Sequence, residues 1–113
     1  MEDAKGFYKK ALMLDPNSVK VLNDLGVAYM QGRNYVEAQE SFEQAIQLKP
    51  DYVDAYYNLA CLYALKGEKI RSLTHLKKAI SLDASVREWA KKDRDLQNLK
   101  DQMEFQEIIG VTR

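Results

Sequence analysis

The chain has 113 residues, which suits one ordinary domain, and its content of 46% hydrophobic and 30% charged residues argues against a disordered segment. Its 17 basic and 17 acidic residues balance, so it lacks the basic excess from which nucleic-acid-binding proteins gain affinity. The single cysteine excludes an intrachain disulfide, and no apolar run approaches the roughly 20 residues that span a bilayer.

The first predicted helix covers residues 3–16 and ends at Leu14-Asp15-Pro16. Its side chains Phe7, Tyr8 and Leu12 are expected to lie partly bare on one side, because no helix before it would cover them. We expect this element to be either a single capping helix or a contact surface for another copy or an adjoining domain.

Residues 19–52 predict two antiparallel helices joined by a turn at Gly32-Arg33-Asn34, where glycine can take the left-handed conformation that ends a helix. In both helices, apolar and small residues recur at the spacing of one helix face. They are Leu22, Leu25, Gly26 and Tyr29 in the first helix and Ala38, Phe42, Ala45 and Ile46 in the second. The small residues would let neighbouring helices approach closely.

Residues 53–86 repeat this unit at a constant offset along the chain. Pro16 and Pro50 lie 34 positions apart, and Leu14, Leu48 and Leu82 share one register. A fixed period of this length, built from helix pairs, is typical of helical-repeat proteins. The sequence therefore predicts an all-α repeat fold.

The residues that carry the pattern also carry a family resemblance. Leu22-x2-Leu25-Gly26-x2-Tyr29, followed by Ala38-x3-Phe42-x2-Ala45 and Pro50, resembles the tetratricopeptide signature, with Leu22 in place of the usual tryptophan. Residues 53–86 are a weaker copy, in which Ser72, Leu76 and Ala84 depart from the pattern. The resemblance covers residues 3–92. It implies a right-handed α-α superhelix in a single domain over residues 1–113: a leading half repeat (3–16), two repeats (19–52 and 53–86) and capping helices (87–113).

The end of the chain is similar to the closing segment of many bacterial tetratricopeptide proteins, in which an Asp-Leu-x2-Leu motif precedes a Phe-x2-apolar-apolar motif. Ser85-x-x-Glu88 predicts a capping box at the start of a short helix that ends near Lys92. We expect apolar residues here to cover the last repeat. They are Trp89, Leu96, Leu99, Phe105, Ile108 and Ile109. Residues 110–113 are expected to fray.

The family geometry implies that the first helix of each repeat lines a concave groove that binds a peptide or a protein segment. The residues assigned to this groove by the resemblance are Lys20, Asn23, Asp24, Val27, Met30, Gln31, Asp54, Tyr57, Asn58, Cys61, Leu65 and Lys92. Val27, Met30, Tyr57 and Leu65 would form an apolar floor. An ordinary solvated helix face is the alternative interpretation.

A clamp for C-terminal carboxylates is one binding mode of such repeats. Lys20, Asn58 and Lys92 match parts of it, but Asp24 and Glu88 stand where an asparagine and a lysine are expected. Two carboxylates would repel an acidic peptide tail, so we do not expect this clamp.

Catalysis, a metal site and a cofactor have little support, because the one histidine, His75, and Cys61 lie on different predicted helix layers. We predict a non-enzymatic cytoplasmic module with a protein or peptide partner, without nucleic acid or membrane insertion. The main alternative is a structural or self-assembling fragment that forms a homo-oligomer through the N-terminal helix. An RNA-binding helical-repeat protein is a third hypothesis, which the zero net charge opposes.

Overall fold

The computed structural model describes residues 2–110, and the side chains of residues 6–110. Its elements are α1 (Glu2–Leu14), α2 (Val19–Gln31), α3 (Tyr35–Leu48), α4 (Val53–Leu65), α5 (Lys69–Leu82), α6 (Val86–Lys92), a 3-10 helix (Arg94–Leu99) and α7 (Met103–Ile109). The predicted all-α fold is confirmed. The expected fraying of residues 111–113 lies outside the described part, whereas Gly110 closes α7 in the left-handed conformation at φ 78°.

The chain divides into two compact units, residues 1–55 and 56–113. Helices α1, α2 and α3 belong to the first unit, and α4 enters the second unit after Ala55. The assignment of residues 1–113 to one domain, with internal limits near residues 16, 52 and 86, stays a prediction.

In the first unit, α2 and α3 meet at a glycine. Helix α2 starts at Ser18, whose hydroxyl accepts a hydrogen bond from the Val21 amide at 3.4 Å. Two turns later, the Phe42 ring lies so close to Gly26 that a Cβ there would come within 2.5 Å of Phe42 Cε1. Phe42 is fully buried. The small residue at position 26 is therefore what allows the two helices to pack closely.

The turn between α2 and α3 corrects the sequence analysis. Gly32 has φ −85°, and the left-handed residue is Arg33, at φ 64°. The equivalent position of the second repeat is Gly67, at φ 80°. A left-handed conformation costs a non-glycine residue about 1–2 kcal/mol, so the same turn is less favourable at Arg33 than at Gly67.

In the second unit, α4 and α5 bury a larger apolar core, including Leu59, Leu62 and Leu76. Ser72, one of the departures from the repeat pattern, is buried here as well. Its hydroxyl donates a 2.6 Å hydrogen bond to the Ala60 carbonyl, which satisfies the polar group inside the core.

The closing segment buries four of the six residues predicted to cover the last repeat: Leu96, Leu99, Phe105 and Ile109. The other two differ from the prediction, since Trp89 is 39% exposed and Ile108 is half-buried. The predicted capping box at its start is wrong. The Ser85 hydroxyl donates to the Asp83 carboxylate at 2.7 Å and does not cap α6. Asp83 captures Ser85 because it also accepts the Ser85 amide, forming a local turn in place of the cap.

Candidate protein-binding surface

The exposed side of α2 is a straight line of residues along the helix. Lys20, Asp24, Val27 and Gln31 follow the spacing i, i+4, i+7 and i+11, which keeps them on one face. The Lys20 ammonium lies 3.1 Å from the Asp24 carboxylate. This hydrogen bond raises the pKa of Lys20. The face therefore presents a paired positive and negative charge beside a half-buried valine.

The same four positions recur one repeat later on α4, at residues 54, 58, 61 and 65, where Cys61 is buried. Asp54 is exposed and Asn58 is half-buried. Leu65 is 40% exposed, which makes it an accessible apolar group at the end of the helix. Equivalent positions of the two helices thus differ in chemistry: lysine against aspartate, aspartate against asparagine, and glutamine against leucine.

The predicted groove residues differ widely in accessibility. Five are exposed: Lys20, Gln31, Asp54, Leu65 and Lys92. Four are half-buried: Asp24, Val27, Met30 and Asn58. Three are buried: Asn23, Tyr57 and Cys61. The choice of groove residues stays a prediction, but these last three have little surface with which to meet a ligand.

Tyr57 and Cys61, two of the predicted groove residues, are buried and pack against the residues that follow α6. The Tyr57 hydroxyl donates a 2.7 Å hydrogen bond to Asp93 Oδ2, and Cys61 Sγ lies 3.6 Å from the same oxygen. The Tyr57 ring also meets Trp89 edge to face, with centroids 5.3 Å apart. Sequence reasoning missed Asp93 because it lies far along the chain from Tyr57 and outside the repeat register.

Asp93 organises the start of the 3-10 helix as well as holding Tyr57. Its second oxygen accepts the Asp95 amide at 2.9 Å. Nearby, the Asn98 side chain donates to the Ala64 carbonyl at 2.9 Å. The bonds from Tyr57 and Asn98 join the closing segment to α4. The motif Asp93-x-Asp95 before an apolar residue was the available signal, since aspartate is a preferred N-cap.

The cluster of Cys61, Asp93 and Asp95 is the described group closest to a metal-ligand set, with ligand atoms within 4.8 Å of one another. Metal binding would require Cys61 as a thiolate. Burial, followed by the negative charge of Asp93, raises the pKa of the Cys61 thiol. Burial and then Asp93 also raise the pKa of Asp95. The shift at Cys61 keeps its thiol protonated, which disfavours metal binding and makes Cys61 a poor nucleophile.

The ion pairs of Lys20 and Glu88 argue further against a clamp for C-terminal carboxylates. Lys20 is already paired with Asp24, and Glu88 lies 3.1 Å from the Lys91 ammonium. The lone histidine, His75, lies among aromatic rings, with its ring centroid 5.1 Å from that of Tyr63. Its Nδ1 is 2.8 Å from the Arg71 carbonyl, an ordinary structural contact within α5.

The fold is that of a helical-repeat protein built from helix pairs of constant length. Comparison with protein families matches the TPR repeat model to residues 33–67 and the tetratricopeptide repeat model to residues 53–86. The second match has the same bounds as the predicted second repeat. The chain belongs to the tetratricopeptide repeat family.

Curated relatives include the peroxisomal targeting signal receptors of three yeasts. The receptor of Candida glabrata is 33% identical over 75 residues, which is 66% of this chain and 13% of the receptor. The receptor of Saccharomyces cerevisiae is 38% identical over 53 residues, 47% of this chain and 9% of the receptor. The receptor of Eremothecium gossypii is 33% identical over 75 residues, 66% of this chain and 13% of the receptor. The chain thus matches only a small part of the length of each receptor.

The crystal structure of MamA has the same fold, with a TM-score of 0.77 and 24% sequence identity over 96% of this chain and 63% of that one. The tetratricopeptide repeats make the chain a protein–protein interaction module, of a fold that is typically a non-catalytic scaffold. Within residues 2–110, no helix combines the length and the apolar character needed to cross a membrane.

Proposed function

We propose that this chain binds an extended peptide or protein segment through the accessible residues of α2 and α4, in the concave groove expected of the repeat. The observation that carries the proposal is the contrast between the two sides of these helices. Some buried positions keep the same residue from one repeat to the next, as Leu25 and Leu59 do. Exposed positions change it, as Lys20 and Asp54 do. The exposed side chains are therefore the part of these helices that could distinguish one ligand from another.

The relatives support a peptide as the ligand. They are receptors for a targeting signal by name, and two of them are 33% identical to this chain over 75 residues. The exposed line on α2 and α4 offers one cation, carboxylates, amides and the apolar group of Leu65. We therefore expect a ligand segment of mixed charge with at least one apolar side chain, and not a purely acidic tail.

The proposal is tested by selecting binders from a random peptide library displayed on phage and measuring their affinity by calorimetry. Asp54→Lys should weaken the binding of selected peptides about five- to tenfold, because it reverses a charge on the exposed line. Asp101→Lys makes the same charge change at an exposed site away from α2 and α4 and should leave affinity unchanged. Failure to enrich any peptide, or an equal loss of affinity in both variants, would contradict peptide binding through α2 and α4.

A second candidate function is self-assembly through α1, which the exposure of its apolar side chains favours. Phe7 is 69%, Met13 83% and Leu14 90% exposed. Tyr8 and Leu12, named with Phe7 in the sequence analysis, are half-buried and contribute less. Under this proposal Phe7→Ser lowers the molar mass measured by light scattering at high protein concentration. An identical mass for both proteins at every concentration would exclude α1 as the contact.

A further inference from the structure

Helices α3 and α5 carry opposite charges. Helix α3 contains three glutamates and no basic residue, whereas α5 contains three lysines and one arginine and no acidic residue. All seven of these side chains are exposed. Each helix therefore presents a surface of one sign, although the chain as a whole has a net charge of zero.

The two charged surfaces occupy equivalent positions of the repeat. A shift by one repeat carries Glu37 onto Arg71 and Glu43 onto Lys77, reversing the charge each time. The same shift carries Val36 onto Ile70, two apolar side chains that are 66% and 82% exposed. We define the acidic face as Val36, Glu37, Glu40, Glu43, Gln44 and Gln47 on α3. The basic face is Ile70, Arg71, Thr74, Lys77, Lys78 and Ser81 on α5.

The acidic face has no cationic partner within the described chain. No ion pair among residues 6–110 involves Glu37, Glu40 or Glu43. Glu43 accepts a hydrogen bond from the neutral Gln39 side chain, which leaves its charge in place. The region around Glu40 and Glu43 forms a shallow depression with Gln44 and Gln47. Three like charges on one helix surface repel one another, so a cationic surface docked there would relieve this repulsion.

The basic face is only partly compensated. Arg71 lies 3.5 Å from Glu68, which also meets Lys66 at 3.3 Å. Lys77 pairs with Glu104. Lys78 forms no ion pair with any described residue. Exposed pairs of this kind contribute only about 0–1 kcal/mol each, so they can exchange partners at little cost.

We propose that the acidic face of one copy docks on the basic face of a second copy. The charges of both faces lie in the N-terminal and middle turns of their helices, so α3 and α5 packed side by side can bring carboxylates against cations. Val36 and Ile70 add apolar surface that is otherwise left in water. A net charge of zero means that no overall repulsion keeps two copies apart.

The contact joins two different surfaces, so each copy keeps one face free to bind the next copy. Such a heterologous contact gives rings or open chains, according to whether the rotation closes. It uses α3 and α5 and leaves free both the line on α2 and α4 and the apolar residues of α1. Assembly through these faces and binding of a peptide are therefore independent properties.

The experiment uses two charge-reversed variants, Glu37→Lys/Glu43→Lys and Arg71→Glu/Lys77→Glu, studied by sedimentation velocity. Wild-type protein should associate as concentration rises at low salt and dissociate at high salt, where screening shortens the range of charge interactions. Each variant alone should associate at least about tenfold more weakly, because its two faces now carry the same sign. An equimolar mixture should associate again, because the unchanged acidic face of the α5 variant then meets the unchanged basic face of the α3 variant.

The control Asp54→Lys/Asp101→Lys changes the net charge as much as Glu37→Lys/Glu43→Lys does, but away from both faces, and should associate like wild type. Phe7→Ser should also associate like wild type, which separates this contact from one through α1. Circular dichroism checks that each variant is folded. A wild-type protein that stays monomeric at low salt, or a mixture that fails to associate, would overturn the proposal.

Discussion

Replacing Phe42 by alanine should lower the free energy of unfolding by about 3–5 kcal/mol, a large part of the stability of a small domain. Phe42 is fully buried, and its ring fills the space that Gly26 leaves open between α2 and α3. Denaturation in urea, followed by far-ultraviolet circular dichroism, measures the change. Phe7→Ala is a matched control, because the same ring is removed from a site that is 69% exposed. It should cost under about 0.5 kcal/mol.

The pairing of Gly26 with Phe42 can be tested more sharply, because the second repeat has another solution at the same positions. There the equivalent residues are Ala60, which is larger than Gly26, and Leu76, which is smaller than Phe42. Gly26→Ala alone should destabilise the first unit, since the added Cβ would lie 2.5 Å from the Phe42 ring. Phe42→Leu alone should also destabilise it, by leaving a cavity.

Combined, Gly26→Ala and Phe42→Leu recreate the pair found in the second repeat, and the double variant should be more stable than the sum of the single effects implies. The expected coupling energy is about 0.5–3 kcal/mol. Strict additivity would show that the two residues do not share one packing space. The gain of about 1 kcal/mol in helix propensity on replacing glycine is the same whether position 42 holds phenylalanine or leucine, so it cancels from the coupling energy.

The parts of this fold that sequence reasoning predicted are those that depend on local packing within a helix pair. Leu25, Gly26 and Phe42 follow from helical spacing and from the need for a small residue opposite a large one. Both requirements recur in each repeat and so reinforce one another in the sequence. The Gly32 turn was placed correctly but its left-handed residue was not. The sequence predicts a left-handed glycine, whereas the structure gives that conformation to Arg33.

The parts that it missed depend on contacts outside the period. Position 57 is equivalent to position 23 of the preceding repeat, and the family geometry assigns both to the groove. Both side chains are buried, and for Tyr57 the cause is a segment that no repeat contains, the closing residues from Asp93 onwards. The capping box predicted at Ser85 was wrong for a similar reason. The Ser85 hydroxyl can either cap α6 or donate to Asp83, and the spacing of residues does not decide between these partners.

Tyr57 is consequently expected to stabilise the second unit rather than to bind a ligand. Tyr57→Ala should lower the free energy of unfolding by about 3–5 kcal/mol, because it deletes a buried ring that packs edge to face on Trp89. Trp89 is the single tryptophan of the chain, so its fluorescence reports this loss in the second unit directly. If Tyr57→Ala had wild-type stability and altered peptide affinity, Tyr57 would instead be a ligand-binding residue.

Tyr57→Phe separates the ring from its hydroxyl. It keeps the packing on Trp89 and removes only the donor to Asp93, so it should cost about 1.5–3 kcal/mol, the range for a hydrogen bond to a charged group. Burial raises the pKa of Tyr57, so the hydroxyl remains a donor throughout the neutral range and the cost should not vary with pH there.

Because Asp93 also holds the start of the 3-10 helix, Asp93→Ala should cost more than Tyr57→Phe. Combining the two should cost less than their sum, since the shared hydrogen bond can be lost only once. Equal and additive effects would instead mean that the closing segment is held to α4 by apolar packing and Asn98 alone.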